Sequence, residues 1–186
     1  LFLSPDAELL VSLLPGLLHI RGVERLSTLV GMVGEESTAS RPGRDIALSH
    51  LVALLLLEAL RATPSDDAPP GLLRGLADPR IAAALRQMHG HVERAWTVAQ
   101  LAKAAGLSRS AFFDRFARTV GLPPMEYLQT WRMARAKDLL RRHELGVAEV
   151  AERVGYGSAS TFSTAFRRAV GEPPGRYARS RGASAE

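Results

Sequence analysis

The 186-residue chain is long enough for one or two small domains with real cores, and its apolar (46%) and charged (23%) contents are those of a globular protein. It contains no cysteine, which excludes a disulfide framework and thiol chemistry and fits a reducing, cytoplasmic setting. The net charge of +5 is unevenly spread. Residues 80–182 carry 18 Lys and Arg against 8 Asp and Glu, whereas residues 1–79 carry 6 against 10. The basic surplus that marks a polyanion partner therefore sits in the second half.

In chain order, residues 1–22 hold two apolar pieces, Leu9–Leu14 and Leu17–Ile20, broken at Pro15-Gly16; the second reads as a short strand. No signal peptide is visible, and the chain, starting at Leu1 without Met, reads as a fragment of a longer protein. Residues 23–40 predict a helix with Val23, Leu26, Leu29, Val30 and Val33 on one side, weakened by Gly31 and Gly34. After a turn at 40–43, residues 44–62 predict a stronger helix, apolar nearly all round. Such a helix is normally buried on more than one side. Its own domain or a second subunit can supply the cover, so the 23–62 pair is either an intrachain core or a homodimer contact. The longest apolar run, Leu51 to Leu57, ends at Glu58 and is too short to span a membrane.

Residues 63–78, beginning TPSDDAPPG, read as a linker and domain boundary. Asp78 and Pro79 then supply an N-cap and a first helical residue, and Ile81, Leu85 and Met88 form the next helix's inner face. Residues 97–121, TVAQLAKAAGLSRSAFFDRFARTVG, read as two short helices around a Gly106 turn. Thr97 with Gln100 is a capping box, and Ser108 caps the second helix, which carries Phe112, Phe116 and Val120 inward. This is a helix-turn-helix, whose second helix enters the DNA major groove.

The unit recurs. Val98, Leu101, Ala102 and Gly106 match Val147, Val150, Ala151 and Gly155 at an offset of 49. One residue is added at the turn, and Ser108, Phe112, Phe116, Gly121, Pro123, Pro124 and Tyr127 then match Ser158, Phe162, Phe166, Gly171, Pro173, Pro174 and Tyr177 at 50. So many coincidences in one register indicate one unit used twice. A long helix from Pro124 to about Arg142 joins the two, with Leu128, Trp131, Leu139 and Leu140 facing them. At ~30 Å such a helix suits the ~34 Å between successive major grooves. Pro173 to Arg179 predicts a closing helix, and residues 180–186 a disordered tail.

The second unit with its closing helix, VAEVAERVGYGSASTFSTAFRRAVGEPPGRYAR, and the first, SRSAFFDRFARTVGLPPMEYLQTWRMARAKDLL, resemble the AraC/XylS family of bacterial transcription regulators over about residues 80–179. Residues 9–75 resemble the segment that joins this domain to a cupin-type N-terminal sensor in one branch. The resemblance implies an all-α, homeodomain-like pair of helix-turn-helix subdomains on a linking helix (79–179). It also implies that residues 1–62 are the C-terminal remnant of a sensor domain with a helical dimerisation segment. Double-stranded DNA and RNA polymerase are the implied partners, with activation the common mode. A small-molecule effector would bind the sensor.

Position by position, the resemblance puts base-reading side chains at Ser110, Phe113 and Asp114 in the first unit, and at Ala159, Ser160, Thr161 and Thr164 in the second. All fall on early turns, off the phenylalanine faces. Many relatives carry Arg where Asp114 and Thr164 stand; Asp accepts from cytosine N4 and Thr donates or accepts. Asp114 either reads a base or pairs with Arg115 or Arg118. Arg109, Arg118, Arg167 and Arg168, with the helix starts at Thr97, Ser108 and Ser158, are the expected phosphate contacts. No metal spacing is found among the five histidines: His89 and His91 are two apart and share no helical face. No nucleophile elbow, P-loop or dinucleotide fingerprint occurs, so neither an enzyme nor a cofactor is expected. The alternative reading is a nucleic-acid-binding module without sequence preference, whose 23–62 helices bind a protein partner.

Overall fold

Each of the two repeated units closes around a pair of phenylalanines. The computed structural model describes residues 23–62, 70–142 and 145–182, where all the regular structure is α-helical. The strand expected at 17–20 and the end of the tail, 183–186, lie outside the described residues.

Helices α1 (Glu24–Thr38) and α2 (Arg44–Ala62) form a hairpin. Arg44 Nη2 donates to Ser37 O at 2.7 Å across its turn, and Arg25 approaches Glu58 at 3.5 Å. Leu29 is buried between the helices, but Val30, expected beside it, is 59% exposed. Neighbouring residues on a helix point about 100° apart, and among the described residues α1 packs chiefly on α2, which covers the Leu29 side and not the Val30 side.

Helices α3 (Leu72–Ala77), α4 (Pro79–Gly90), α5 (Val98–Ala104) and α6 (Arg109–Val120) build the first unit. Helix α3 occupies the second half of the stretch expected to be linker. Its Leu72 is buried in the unit's core, and Gly75 lets its backbone approach so closely that a Cβ there would lie 2.9 Å from Val120 Cγ2. Ile81, Leu85 and Met88 of α4, Leu101 of α5 and Phe112 and Phe116 of α6 are fully buried with Tyr127. The ring centroids run Phe112–Phe116 at 5.5 Å and Phe116–Tyr127 at 5.7 Å. Truncating such a phenylalanine to alanine typically costs about 3–5 kcal/mol.

Helix α7 (Pro124–Arg141) is shared. Its first turn, with Tyr127 and Leu128, closes the first core, and Met133, Ala136 and Leu140 open the second. Helices α8 (Val147–Arg153), α9 (Ala159–Val170) and α10 (Pro174–Gly182) complete that second unit. Phe162–Phe166 and Phe166–Tyr177 repeat the aromatic geometry, both at 5.5 Å. Residues 180–182, expected in the tail, continue α10. Gly146 caps α8 without a side chain, and Glu149 pairs forward with Arg153 at 3.0 Å.

The repeat reaches further back than the helix-turn-helix. Arg80, Ile81, Ala84, Met88 and His89 of α4 match Arg132, Met133, Ala136, Leu140 and Arg141 of α7 at an offset of 52. The tyrosine of each closing helix bonds the last residue of its set: Tyr127 Oη lies 2.6 Å from His89 Nε2, and Tyr177 Oη accepts from Arg141 Nε at 3.1 Å.

Asp78 anchors α4 and ties it to the recognition helix of its unit. Its carboxylate accepts from the Arg80 and Ile81 N–H groups at 3.1 and 3.4 Å and from Arg115 Nε at 2.6 Å. Burial alone would raise its pKa, but the Arg115 and backbone hydrogen bonds outweigh that and hold it below the ordinary carboxylate range. A depressed folded value means that the stabilisation is complete above the unfolded pKa, near 3.9, and is lost as pH falls through the folded value. Asp78→Asn is therefore expected to melt below the parent at pH 7. Its melting temperature should fall less than the parent's between about pH 5 and 2, as read by thermal circular dichroism.

Candidate nucleic-acid interface

The two helices expected to enter DNA, α6 and α9, start alike. Ser108 Oγ accepts from Ala111 N at 3.3 Å, and Ser158 Oγ from Thr161 N at 3.2 Å. A helix leaves its first N–H groups without intrahelical acceptors. One is satisfied at each start by the cap, and the others face outward at a positive dipole end. At α5 the cap takes more. Thr97 N donates to Gln100 Oε1 at 2.9 Å while Thr97 Oγ1 accepts from Gln100 N at 3.3 Å, so both polar groups of Thr97 are spent on the capping box.

The phenylalanine pairs pin the opposite faces outward. On α6, Ser110, Phe113 and Asp114 are exposed, Phe113 by 42% despite its apolar ring. On α9, Ala159 is half-buried while Ser160, Thr161 and Thr164 are exposed. The two outward faces differ in chemistry. The first offers a ring, a carboxylate and one hydroxyl, with Ser110 Oγ 3.4 Å from Ser108 Oγ. The second is a hydroxyl cluster: Ser158 Oγ lies 3.0 Å from Ser160 Oγ and 2.9 Å from Thr161 Oγ1. Thr164 Oγ1 donates to Ser160 O at 3.1 Å, which leaves its methyl and its lone pairs for anything outside the helix.

Arg115 turns to Asp78, and Asp114 makes no ion pair among the described residues. Of the two readings of Asp114, the pairing with Arg115 or Arg118 is thus not formed. Arg109, Arg118, Arg167 and Arg168 are all exposed. Arg168 lines a groove of 850 Å³ between α7 and α9 with Thr130 and Lys137, and like Arg118 and Arg167 it stands in the last turn of its helix, apart from the base-reading positions on the early turns.

Two arginines that the sequence did not single out hold the turns before the recognition helices. Arg80 Nη1 donates to Gly106 O at 3.1 Å, and the Arg132 guanidinium packs beside Gly155. The offset of 52 between them was the available signal. His89 stacks on Trp131 with centroids 3.9 Å apart, and His91 lies 3.9 Å from Glu93. Among the described residues, no group of three His, Asp or Glu could hold a metal ion, and no helix is long and apolar enough to cross a membrane.

Comparison with known proteins respects this division of the chain. A family model described as a helix-turn-helix domain matches residues 101–180, and a cupin model matches residues 2–64. An AraC-like transcription regulator of Streptomyces lividans is 39% identical over 176 residues, covering 91% of this chain and 58% of its own. The HTH-type transcriptional regulator AlkR of Acinetobacter baylyi is 35% identical, covering 90% of this chain and 57% of its own. The chain thus spans somewhat under three fifths of the length of these relatives. Among solved structures, the DNA-binding domain of AdpA, determined in complex with a target DNA, is 32% identical with a TM-score of 0.54; the match covers 56% of this chain and 94% of that domain. Two units on a shared helix, a cupin-type region before them and these similarities establish that the chain belongs to the AraC family of transcription regulators.

Proposed function

We propose that this chain binds double-stranded DNA sequence-specifically, with α6 and α9 reading successive major grooves, and regulates transcription. The observation that carries the reading is the duplication itself. Two Ser-capped helices stand on equivalent aromatic cores, each with its early-turn side chains outward, in the half of the chain that holds the positive surplus. Ser110, Phe113 and Asp114 read bases in one groove, and Ala159, Ser160, Thr161 and Thr164 in the other. Arg109, Arg118, Arg167 and Arg168 contact phosphates, as do the helix starts at Ser108 and Ser158. The capping box leaves Thr97 the weakest phosphate contact of the set. Phe113 suits a thymine methyl and Asp114 a cytosine amino group.

The family resemblance supports activation through contact with RNA polymerase, in the cytoplasm, and the cupin match at 2–64 supports control by a small molecule bound outside the DNA-binding half. Helix α2 leaves Ile46, Leu54 and Leu57, which share one side of it, 38–67% exposed. An apolar face of that kind favours a second subunit at the hairpin.

Selection of bound duplexes from a random pool, using the whole chain, tests the central claim. The expected result is one motif covering about two helical turns. Retention at low salt without enrichment would overturn it in favour of a module without sequence preference. On the selected site, Asp114→Ala is expected to change preference at one or two base pairs, with a loss of about 1–3 kcal/mol for the preferred base. Arg109→Ala should instead weaken all sequences alike and flatten the dependence of log affinity on log salt by about 0.9.

A further inference from the structure

Arg80 and Arg132 occupy equivalent positions in the two units but hold different things. Arg80 stays within its unit, donating to the Gly106 carbonyl of its own helix-turn-helix. Arg132 sends its donors across the boundary. Its Nε donates to Val92 O at 3.0 Å and its Nη2 to Arg94 O at 2.8 Å, both in the loop that leads into the first helix-turn-helix. The same guanidinium is packed against the turn of the second. A Cβ built on Gly155 would lie 2.5 Å from Arg132 Nη2 and 2.5 Å from Glu93 O, and the Tyr156 ring centroid is 5.9 Å from the Arg132 Cζ. Burial lowers the Arg132 pKa and raises that of Tyr156; the guanidinium stays charged at any physiological pH.

The loop that receives these bonds is itself braced. Trp96 Nε1 donates to His91 O at 2.9 Å, Arg94 N donates to His91 O at 3.2 Å, and the Arg94 guanidinium lies 4.3 Å from the Trp96 ring centroid. Three pieces thus meet at Arg132: the first unit's loop, the shared helix and the second unit's turn. The turn glycines show the same asymmetry. Gly106 and Gly155 have φ of +63° and +79°, but nothing lies within 4 Å of a Cβ on Gly106.

This joint supplies a constraint that α7 cannot. A helix of 18 residues, about 27 Å long, sets the distance between the units but can bend and twist. Fixing the rotation of one unit about another requires a second attachment away from the helix axis. On B-DNA a shift of one base pair turns a half-site by about 34° and moves it about 3.4 Å, so that rotation decides which spacing both helices can reach together. We infer that Arg132, wedged between the 92–94 carbonyls and the Gly155 turn, is the positioning residue that fixes the orientation of the second helix-turn-helix relative to the first, and with it the half-site spacing the protein accepts. The spacing consequence rests on the two-groove reading above; the lock is a property of the free protein.

The absence of cysteine makes the lock measurable. Nitroxide labels on Lys103→Cys and Glu152→Cys, equivalent exposed positions of α5 and α8, report the inter-unit distance by pulsed electron paramagnetic resonance. The parent should give one narrow distribution, and Arg132→Met, which keeps an apolar stem but no donors, one at least twice as wide. Arg132→Lys should fall between, because one ammonium cannot reproduce the fork. Gly155→Ala should broaden the distribution as Arg132→Met does, and Gly106→Ala, at a similar φ in open space, should leave it narrow. An unbroadened distribution in Arg132→Met overturns the lock.

The second measurement compares duplexes whose half-sites are moved by one base pair either way, together with an isolated half-site. The parent should lose at least tenfold on either shift. Arg132→Met should lose less than threefold and keep half-site affinity within twofold of the parent. A uniform loss on every duplex, half-site included, would mark a merely destabilised fold and overturn the assignment. Broadened distances in Arg132→Met alongside a parent indifferent to spacing would uphold the lock and defeat the two-groove reading instead.

Discussion

An 18-residue helix that belongs to two cores at once constrains the rest of this chain. Tyr127 and Leu128 at the start of α7 are buried with Phe112 and Phe116, and Met133, Ala136 and Leu140 further along it are buried with Phe162 and Phe166. Neither core can form without its share of α7, and the helix cannot slide by a residue without uncovering both sets. The faces of α6 and α9 opposite the phenylalanines are turned to solvent as a consequence. Packing at the back of each recognition helix thus selects which side chains are available at the front, and a core substitution there displaces the outward face as well as destabilising the unit.

Much of this was legible because it is written in local chemistry. The Thr97–Gln100 capping box, the Ser108 and Ser158 caps, Pro79 at a first helical position and the phenylalanines four apart each specify an element within a few residues. Helix α3 was hidden because its docking depends on a close backbone approach at Gly75 and one buried Leu72, neither of which makes a periodic pattern. The early half of the repeat was hidden because α7 is shared. Its second copy starts inside a helix already assigned to the first, and only Arg80, Ala82 and Ala84 of α4 keep identity with their counterparts across the offset of 52. The failure of Val30 to bury has a different origin, since periodicity identifies an apolar stripe but not how many partners cover it.

The candidate site was legible in position and not in state. Which residues face outward follows from helical geometry alone. That Arg115 does not pair with its neighbour Asp114 depends on Asp78, 37 residues earlier, which claims it. Likewise the Thr164 hydroxyl looks free on a helical wheel, yet it donates to the Ser160 carbonyl one turn back. Such back-bonding is a common habit of Ser and Thr within helices and competes directly with external acceptors. Contacts of this kind between distant segments, or set by one rotamer, carry no sequence period.

The two units resemble each other most where they are buried and least where they are exposed. Aromatic spacing agrees to within 0.2 Å between them, whereas the outward faces share only serines near the helix start and one arginine near the end, Arg118 and Arg168. On the proposed reading this divides the labour. The first unit offers Phe113 and Asp114, which discriminate by a methyl contact and by charge. The second offers hydroxyls that bond to several bases and to phosphate, which favours placement over strict readout. A weakly discriminating second helix contributes to specificity chiefly if its position relative to the first is rigid, because spacing then becomes part of what is recognised. The Arg132 joint lies where the turn of that second unit meets the loop of the first, and the added residue at this turn, Tyr156 beside Gly157 where the first unit has only Leu107, is part of the surface that makes the contact.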